Sequence, residues 1–177
     1  LKLSLINNAI IAQYRDRALK YLQPSSVKRR LAVISHLFSI ARKEWGFKID
    51  NPVLDIRKPK LPEPRDRRFT DKEIKLLIYG NKTSEKLKSI IQIALETGMR
   101  VGEILGIKKE HINGQTLYIP VTKTKPRSIP LTKRALEILN NTNLPFTLSA
   151  MAVSKQFNWL CKFYKIHDGR FHDLRRQ

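Results

Sequence analysis

The sequence has a single cysteine, few acidic residues and no long apolar run. The lone Cys161 excludes an internal disulfide and indicates a reducing compartment. The four histidines share no metal-ligand spacing with this cysteine, which argues against a zinc site. No apolar stretch approaches the ~18 residues of a membrane span, and no signal peptide is recognisable. We therefore expect a cytoplasmic protein that holds no metal and does not enter a membrane.

The chain also lacks the glycine motifs that cradle nucleotides. Gly98, Gly102 and Gly106 recur at four-residue spacing, but neither Gly-x-Gly-x-x-Gly nor Gly-Lys-Ser/Thr occurs. A stripe of small residues lets another backbone, of protein or of DNA, approach closely. Of the two we favour packing within the protein.

The scarcity of acidic residues gives the chain a strong positive charge. Lys and Arg total 35 against 15 Asp and Glu, a formal net charge of +20. Such a charge opposes compaction and calls for a polyanionic partner, of which nucleic acid is the commonest. A membrane surface fits less well, because no single helix gathers the basic residues opposite an apolar face. An RNA-binding or ribosomal protein stays open on charge alone.

Helical periodicity dominates the N-terminal third. Ile6, Ile10 and Tyr14 step by four, and the sequence QPSS at residues 23–26 then interrupts the pattern. Ser25 or Ser26 can cap the helix that follows. The apolar face of that second helix consists of Val27, Leu31, Ile34, Phe38 and Ala41.

A basic, proline-rich stretch separates two helical parts of the chain. Four prolines between Pro52 and Pro64 exclude both a helix and a central strand. We therefore predict a helical domain over residues 1–56, an extended linker over 57–68 and a second domain over 69–177. An extended basic linker can follow a phosphate backbone.

The second domain reads as mainly helical with a small antiparallel β-sheet, so the fold class is α+β. A capping box formed by Thr70 and Glu73 begins a helix that runs to Tyr79. The next helix ends at Gly98, which suits a left-handed terminal residue. Further helices are predicted at 101–105, 132–139, 149–164 and from 171, and two strands at 116–121 and 127–131 flank a basic hairpin tip.

Three polar clusters in the second domain suit phosphoryl transfer. They are Arg100 with Glu103, Lys123 on the hairpin tip, and His172 with Arg175. Positioned cations stabilise the charge of a phosphoryl transition state, and a lysine or histidine can move a proton. Each residue alone also has a structural explanation, such as an ion pair or an exposed surface charge. Composition and spacing alone therefore indicate a basic nucleic-acid binder.

Three motifs in order resemble the tyrosine recombinase (phage integrase) family. They are TGMRVGEIL at residues 97–105, TKTKPRSIPL at 122–131 and FHDLR at 171–175. The resemblance covers most of the chain. The part before the prolines is similar to the family's helical core-binding domain, and the part after them to the first two-thirds of its catalytic domain.

The resemblance implies a role for each catalytic candidate. Arg100 and Arg175 look like the two arginines that hold the scissile phosphate, and Glu103 like the acid that orients them. Lys123 is similar to the lysine that protonates the leaving 5′-oxygen, with Lys125 as a nearby competitor. His172 looks like the histidine that assists proton transfer at the nucleophile.

The nucleophile is where the sequence departs from the family. The family's nucleophilic tyrosine follows the second arginine, whereas all five tyrosines of this chain precede Arg175. We therefore expect that residues 69–177 lack the nucleophile segment and that this chain alone does not cleave DNA. Family members exchange C-terminal segments between protomers, so a neighbour could supply the tyrosine.

The resemblance implies a site-specific DNA recombinase or integrase of phage or mobile-element type, which needs no cofactor. Its partners would be a double-stranded recombination site and other protomers, as a tetramer on paired sites. A non-catalytic DNA-binding regulator or decoy on the same scaffold, and a type IB topoisomerase, are the alternatives. The candidate DNA-binding residues are Lys28, Arg29, Arg30, Arg65, Arg67, Arg68, Lys125 and Arg127.

Overall fold

The computed structural model of the protein describes residues 3–122 and 125–177. The chain divides into two compact units, Leu1–Arg65 and Asp66–Gln177. The division falls within the segment 57–68, and residues 44–70 form neither helix nor strand. Prolines that fix φ and donate no hydrogen bond account for this irregular stretch.

The described part of the first unit contains two α-helices, α1 (Asn8–Leu19) and α2 (Pro24–Lys43), after a short 3-10 turn at Leu3–Leu5. All five apolar residues predicted for α2 face inward, with Ile34 partly buried and the other four buried. The prediction of a serine cap was wrong, because α2 begins at Pro24 and Gln23 precedes it. Proline suits the first helical position, where its missing N–H has no partner to lose.

The second unit contains five helices among its described residues: α3 (Asp71–Tyr79), α4 (Glu85–Thr97), α5 (Val101–Leu105), α6 (Lys133–Asn140) and α7 (Ala150–Phe163). The predicted capping box at the start of α3 is present, since the Thr70 hydroxyl accepts from the Glu73 N–H and Glu73 Oε2 accepts from the Thr70 N–H. Two 3-10 segments, Lys109–His111 and Phe171–Arg176, complete the helical structure. The predicted α+β class is confirmed.

Helix α4 is the centre of this unit, because α3, α5, α6 and α7 all contact it. Its inner face buries Leu87, Ile90, Ile91, Ile93 and Ala94. The helix ends at Thr97, and Gly98 caps it with a φ of 61°, the left-handed conformation predicted from the sequence. The chain then turns at once into α5, so the residues between the two helices are fixed by both.

A three-stranded antiparallel sheet has the order β1 (Ile112–Asn113), β2 (Thr116–Ile119) and β3 (Arg127–Pro130). Leu117 and Ile119 of β2 face the core, and the register pairs Ile119 with Arg127. β1 was not predicted, because two residues carry no readable alternation. The other two strands are shorter than predicted.

No helix in the described part of the chain is long and apolar enough to cross a membrane. Among these residues there is also no group of three or more His, Cys, Asp or Glu side chains that could hold a metal ion. Cys161 is buried, and this burial raises the pKa of its thiol to about 11. The thiol is therefore protonated and unreactive at neutral pH.

Candidate active site

The turn between α4 and α5 places Arg100 directly before the first residue of α5. Its backbone is extended, and its N–H donates to Oε2 of Glu103 at 3.0 Å. Its guanidinium Nη1 donates to Oε1 of the same carboxylate, also at 3.0 Å. An arginine side chain has no acceptor, so this is the glutamate half of a capping box. Glu103 therefore fixes both the backbone and the side chain of Arg100.

Glu103 is bound from the other side by Arg127 of β3. Arg127 Nη1 lies 3.1 Å from Oε1 and Nη2 lies 2.9 Å from Oε2, which is a two-pronged contact. The Glu103 side chain is only 4% exposed. Burial alone raises the pKa of this carboxyl, but hydrogen bonds from Arg127 and Arg100 outweigh it and lower the pKa to about 2. The carboxylate is therefore ionised at any physiological pH.

Arg175 reaches the same turn from the 3-10 segment at the end of the chain. Its Nε donates to the carbonyl oxygen of Gly98 at 2.5 Å. Burial, followed by the nearby charge of Arg100, lowers the pKa of Arg175. Arg100 and Arg175, 75 residues apart in sequence, are thus both attached to the residues that join α4 to α5. The charges of Arg100, Arg127 and Glu103 all act on Arg175. Three arginines with one carboxylate leave an excess of positive charge that suits an anion.

Of the other catalytic candidates, the structure describes His172 and Lys125. His172 is exposed and lies three residues before Arg175 in the 3-10 segment, where a period of three puts both on one face. Lys123 lies outside the described residues. Lys125 is exposed, and its carbonyl oxygen accepts from the Thr122 hydroxyl at 2.7 Å.

A groove of about 480 Å³ opens beside Arg100. Gly102 and Gly106 form part of its wall, and Tyr118 lines it from β2. A Cβ added at Gly102 would meet no atom within 4 Å. The expectation of packing within the protein was therefore wrong for Gly102. At Gly106 it holds, since a Cβ there would lie 3.4 Å from the carbonyl oxygen of Gly102. An α-carbon without a side chain at the start of α5 instead leaves the approach to Arg100 open.

The candidate DNA-binding residues have different surroundings. Lys28, Arg29, Arg30 and Arg68 are exposed, and Arg65 is half-buried. Arg67 is held within the second unit, because Nη2 contacts Oε1 of Glu73 at 2.6 Å and its guanidinium lies 5.0 Å from the centre of the Phe69 ring. Arg127 contacts Glu103, as described above.

A residue that the sequence analysis did not select also supports the site. Asp173 is 3% exposed, and its Oδ2 accepts the Arg170 N–H at 2.9 Å. This bond fixes the start of the 3-10 segment that carries His172 and Arg175. The sequence does contain a signal for this role. Asp173 lies three residues after Arg170, the residue that precedes the 3-10 segment, and an acidic residue at that spacing forms one half of a capping box.

We expect Gly169→Ala to loosen the segment that carries Arg175. A Cβ at this position would lie 2.9 Å from Sγ of Cys161 and 2.9 Å from Cε1 of Phe69, both buried. Overpacking of this kind destabilises a domain by roughly 1–3 kcal/mol. Urea unfolding followed by circular dichroism measures the loss. Gly102→Ala is the matched control, since its Cβ meets open space, and equal losses in both variants would contradict the expectation.

The chain is similar to known integrases and recombinases both in sequence and in structure. The model of the phage integrase family matches residues 67–143. The shufflon-specific DNA recombinase of Escherichia coli is 36% identical over 189 aligned positions, which cover 97% of this chain and 49% of that protein. The chain therefore spans about half the length of this relative.

Two crystal structures of lambda integrase are similar over 98% of the chain. A dimer bound to a COC′ core site has a TM-score of 0.81 at 26% identity, with 72% of its own chain covered. A tetramer bound to a Holliday junction has a TM-score of 0.79 at 25% identity, with 59% covered.

Proposed function

Because the chain belongs to the phage integrase family of tyrosine recombinases, we propose that it is the DNA-clamping and phosphate-binding part of a site-specific recombinase. The observation that carries the proposal is the attachment of Arg100 and Arg175 to one turn, beside a groove open to solvent. Arg100 lines this groove, and the guanidinium of Arg175 is bound to the same turn. Two planar guanidinium groups held by one turn suit the non-bridging oxygens of a DNA phosphodiester.

In the proposed reaction a tyrosine hydroxyl attacks the scissile phosphorus. A bond forms between the tyrosine oxygen and phosphorus, the bond to the 5′-oxygen breaks, and a 3′-phosphotyrosine remains. Arg100 and Arg175 stabilise the charge on the non-bridging oxygens. Lys123, or Lys125 in its place, donates a proton to the 5′-oxygen, and His172 assists the proton that leaves the tyrosine. Attack by a 5′-hydroxyl reverses these steps, so the bond energy is conserved and no cofactor is needed.

We propose that the attacking tyrosine is not among the five in this chain. All five precede Arg175, and the Tyr164 hydroxyl accepts the backbone N–H of Lys82 at 3.1 Å. The nucleophile would then be a tyrosine of a neighbouring protomer, or of a longer natural protein that contains this chain. Assembly of several protomers on paired duplex sites in the cytoplasm, as a tetramer, is part of this proposal.

The decisive experiment is a search for the covalent intermediate. The chain selects its preferred duplex from a random-sequence library, and the natural protein is then mixed with that duplex carrying a nick. A denaturing gel reveals a protein–DNA adduct. We expect an adduct with the natural protein and none with residues 1–177 alone. Tight duplex binding without any adduct would instead favour a non-catalytic DNA-binding regulator.

Binding of duplex DNA by the chain should weaken steeply as salt rises. Contact with six phosphates lowers affinity roughly 10³-fold between about 50 and 200 mM salt. Fluorescence anisotropy with a labelled duplex measures the slope of log Kd against log salt. An RNA duplex of equal length is the comparison, and tighter binding of that RNA, or a flat salt dependence, would contradict the proposal.

A further inference from the structure

We propose that Arg127 is a positioning residue, which acts through Glu103 to hold Arg100 in place and does not itself contact DNA. The inference deepens the proposed function and rests on it. It also gives Arg127 a different role from the one expected from its position in a basic hairpin.

The strand register explains why Arg127 points toward the protein. Residues that pair across antiparallel strands have side chains on the same face. Arg127 pairs with Ile119, which is buried, and it lies two residues from the partly buried Ile129 on β3. Alternation along the strand therefore directs Arg127 to the core side of the sheet, where a guanidinium needs an acidic partner.

Glu103 is that partner, and its contact with Arg127 engages both terminal nitrogens. The two distances of 3.1 and 2.9 Å join one nitrogen to each carboxylate oxygen. This geometry fixes the plane of the carboxylate, because each oxygen has its own donor. The fork formed by Nη1 and Nη2 of Arg127 is therefore occupied by a carboxylate of the protein itself.

The plane of the carboxylate determines where Arg100 lies. Oε1 accepts from Nη1 of both Arg100 and Arg127, and Oε2 accepts from the Arg100 N–H and from Arg127 Nη2. Without Arg127, a carboxylate that is 4% exposed keeps only one of its two cationic partners. It can then turn, and the Arg100 guanidinium turns with it. A displacement of about 1 Å at a reacting group can slow a reaction 10²-fold.

The test is made in the natural protein at saturating nicked duplex, with Arg127→Met and Arg127→Lys. We expect Arg127→Met to slow adduct formation about 10- to 100-fold, with Kd changed less than about twofold and the salt slope unchanged. Arg127→Lys keeps the charge and loses the fork, so its rate should fall between those of Arg127→Met and the natural protein. If Arg127→Lys forms the adduct as fast as the protein without a substitution, only the charge at this position matters and the positioning role is wrong.

A direct contact between Arg127 and DNA would give a different set of results. Arg127→Met would then raise Kd and leave the rate at saturation unchanged. It would also reduce the slope of log Kd against log salt by about 0.9, the contribution of one phosphate contact. This outcome overturns the inference while the proposed function stands. An unmodified protein that forms no adduct would remove the proposed function, and the inference with it.

Two further variants separate positioning from general stability. Arg134→Met removes a more exposed arginine whose Nε lies 3.6 Å from Oε1 of Glu96, and we expect an unchanged rate.

Glu103→Gln combined with Arg127→Met should slow the reaction little more than the slower of the two single variants, because both substitutions act through one carboxylate. Fully multiplicative effects would contradict a shared path. Far-UV circular dichroism confirms that each variant is folded.

Discussion

Replacing Arg100 by alanine should reduce adduct formation in the natural protein at least about 100-fold, while duplex binding weakens less than tenfold. Loss of one positioned donor to a developing oxyanion lowers rates by about 10²–10³-fold. In the proposed function, binding depends on many phosphate contacts of a chain with a net charge of +20, and Arg100 would supply only one of them. The rate at saturating DNA and the equilibrium Kd, measured on the same preparation, give the two numbers.

Arg100→Lys sharpens this expectation. Lysine keeps the positive charge but offers no planar fork, so it cannot bind Glu103 and two phosphate oxygens in a fixed geometry. We expect it to recover binding and little of the rate. Arg29→Ala, on an exposed face of α2, is the comparison, and its effect should appear in Kd and not in the rate. If Arg100→Ala forms the adduct as fast as the protein without a substitution, Arg100 has no role in the reaction.

The sequence predicts those parts of the site that depend on neighbours along the chain. The left-handed turn at Gly98, the short helix that starts at Val101, and the pairing of Arg100 with Glu103 all depend on residues a few positions apart. Local propensity and capping rules act over that range. The shared face of His172 and Arg175 also follows from a spacing of three, although the segment is a 3-10 helix instead of an α-helix.

The contacts between distant segments could not be read in the same way. Arg127 is 24 residues from Glu103, and the proline-containing hairpin suggested an exposed basic residue. Its inward direction depends on strand register, which pairs it with Ile119, and register is set by the folded sheet. The bond from Arg175 to the Gly98 carbonyl joins residues 77 positions apart. Charge alone could not say which arginines bind protein groups and which face solvent.

Glu103→Gln is expected to lower the free energy of unfolding of the chain at neutral pH by on the order of 3 kcal/mol. Removal of one partner from a buried ion pair costs about 3–5 kcal/mol. We expect the lower end of that range, because the Arg100 and Arg127 side chains are 42% and 35% exposed and water partly compensates their charge. Here Arg100 and Arg127 would face a neutral amide whose NH₂ group can only donate. Urea unfolding measures the change. Glu110→Gln is the control, since Glu110 is 71% exposed and its pair with Lys108 at 3.3 Å lies at the surface, where such pairs contribute about 0–1 kcal/mol.

The pH dependence of that difference identifies the carboxylate as its source. The pKa of Glu103 falls from an ordinary value of 4.5 to about 2 in the folded chain, which corresponds to roughly 3 kcal/mol at ~1.4 kcal/mol per pKa unit. A depressed pKa stabilises the folded state fully above the unfolded value and loses this effect as pH falls through the folded value. The natural chain should therefore lose its advantage over Glu103→Gln between about pH 4.5 and pH 2. A difference that stays constant over this range would mean that the substitution acts through packing, and that the charge of Glu103 does not hold Arg100 and Arg127 together.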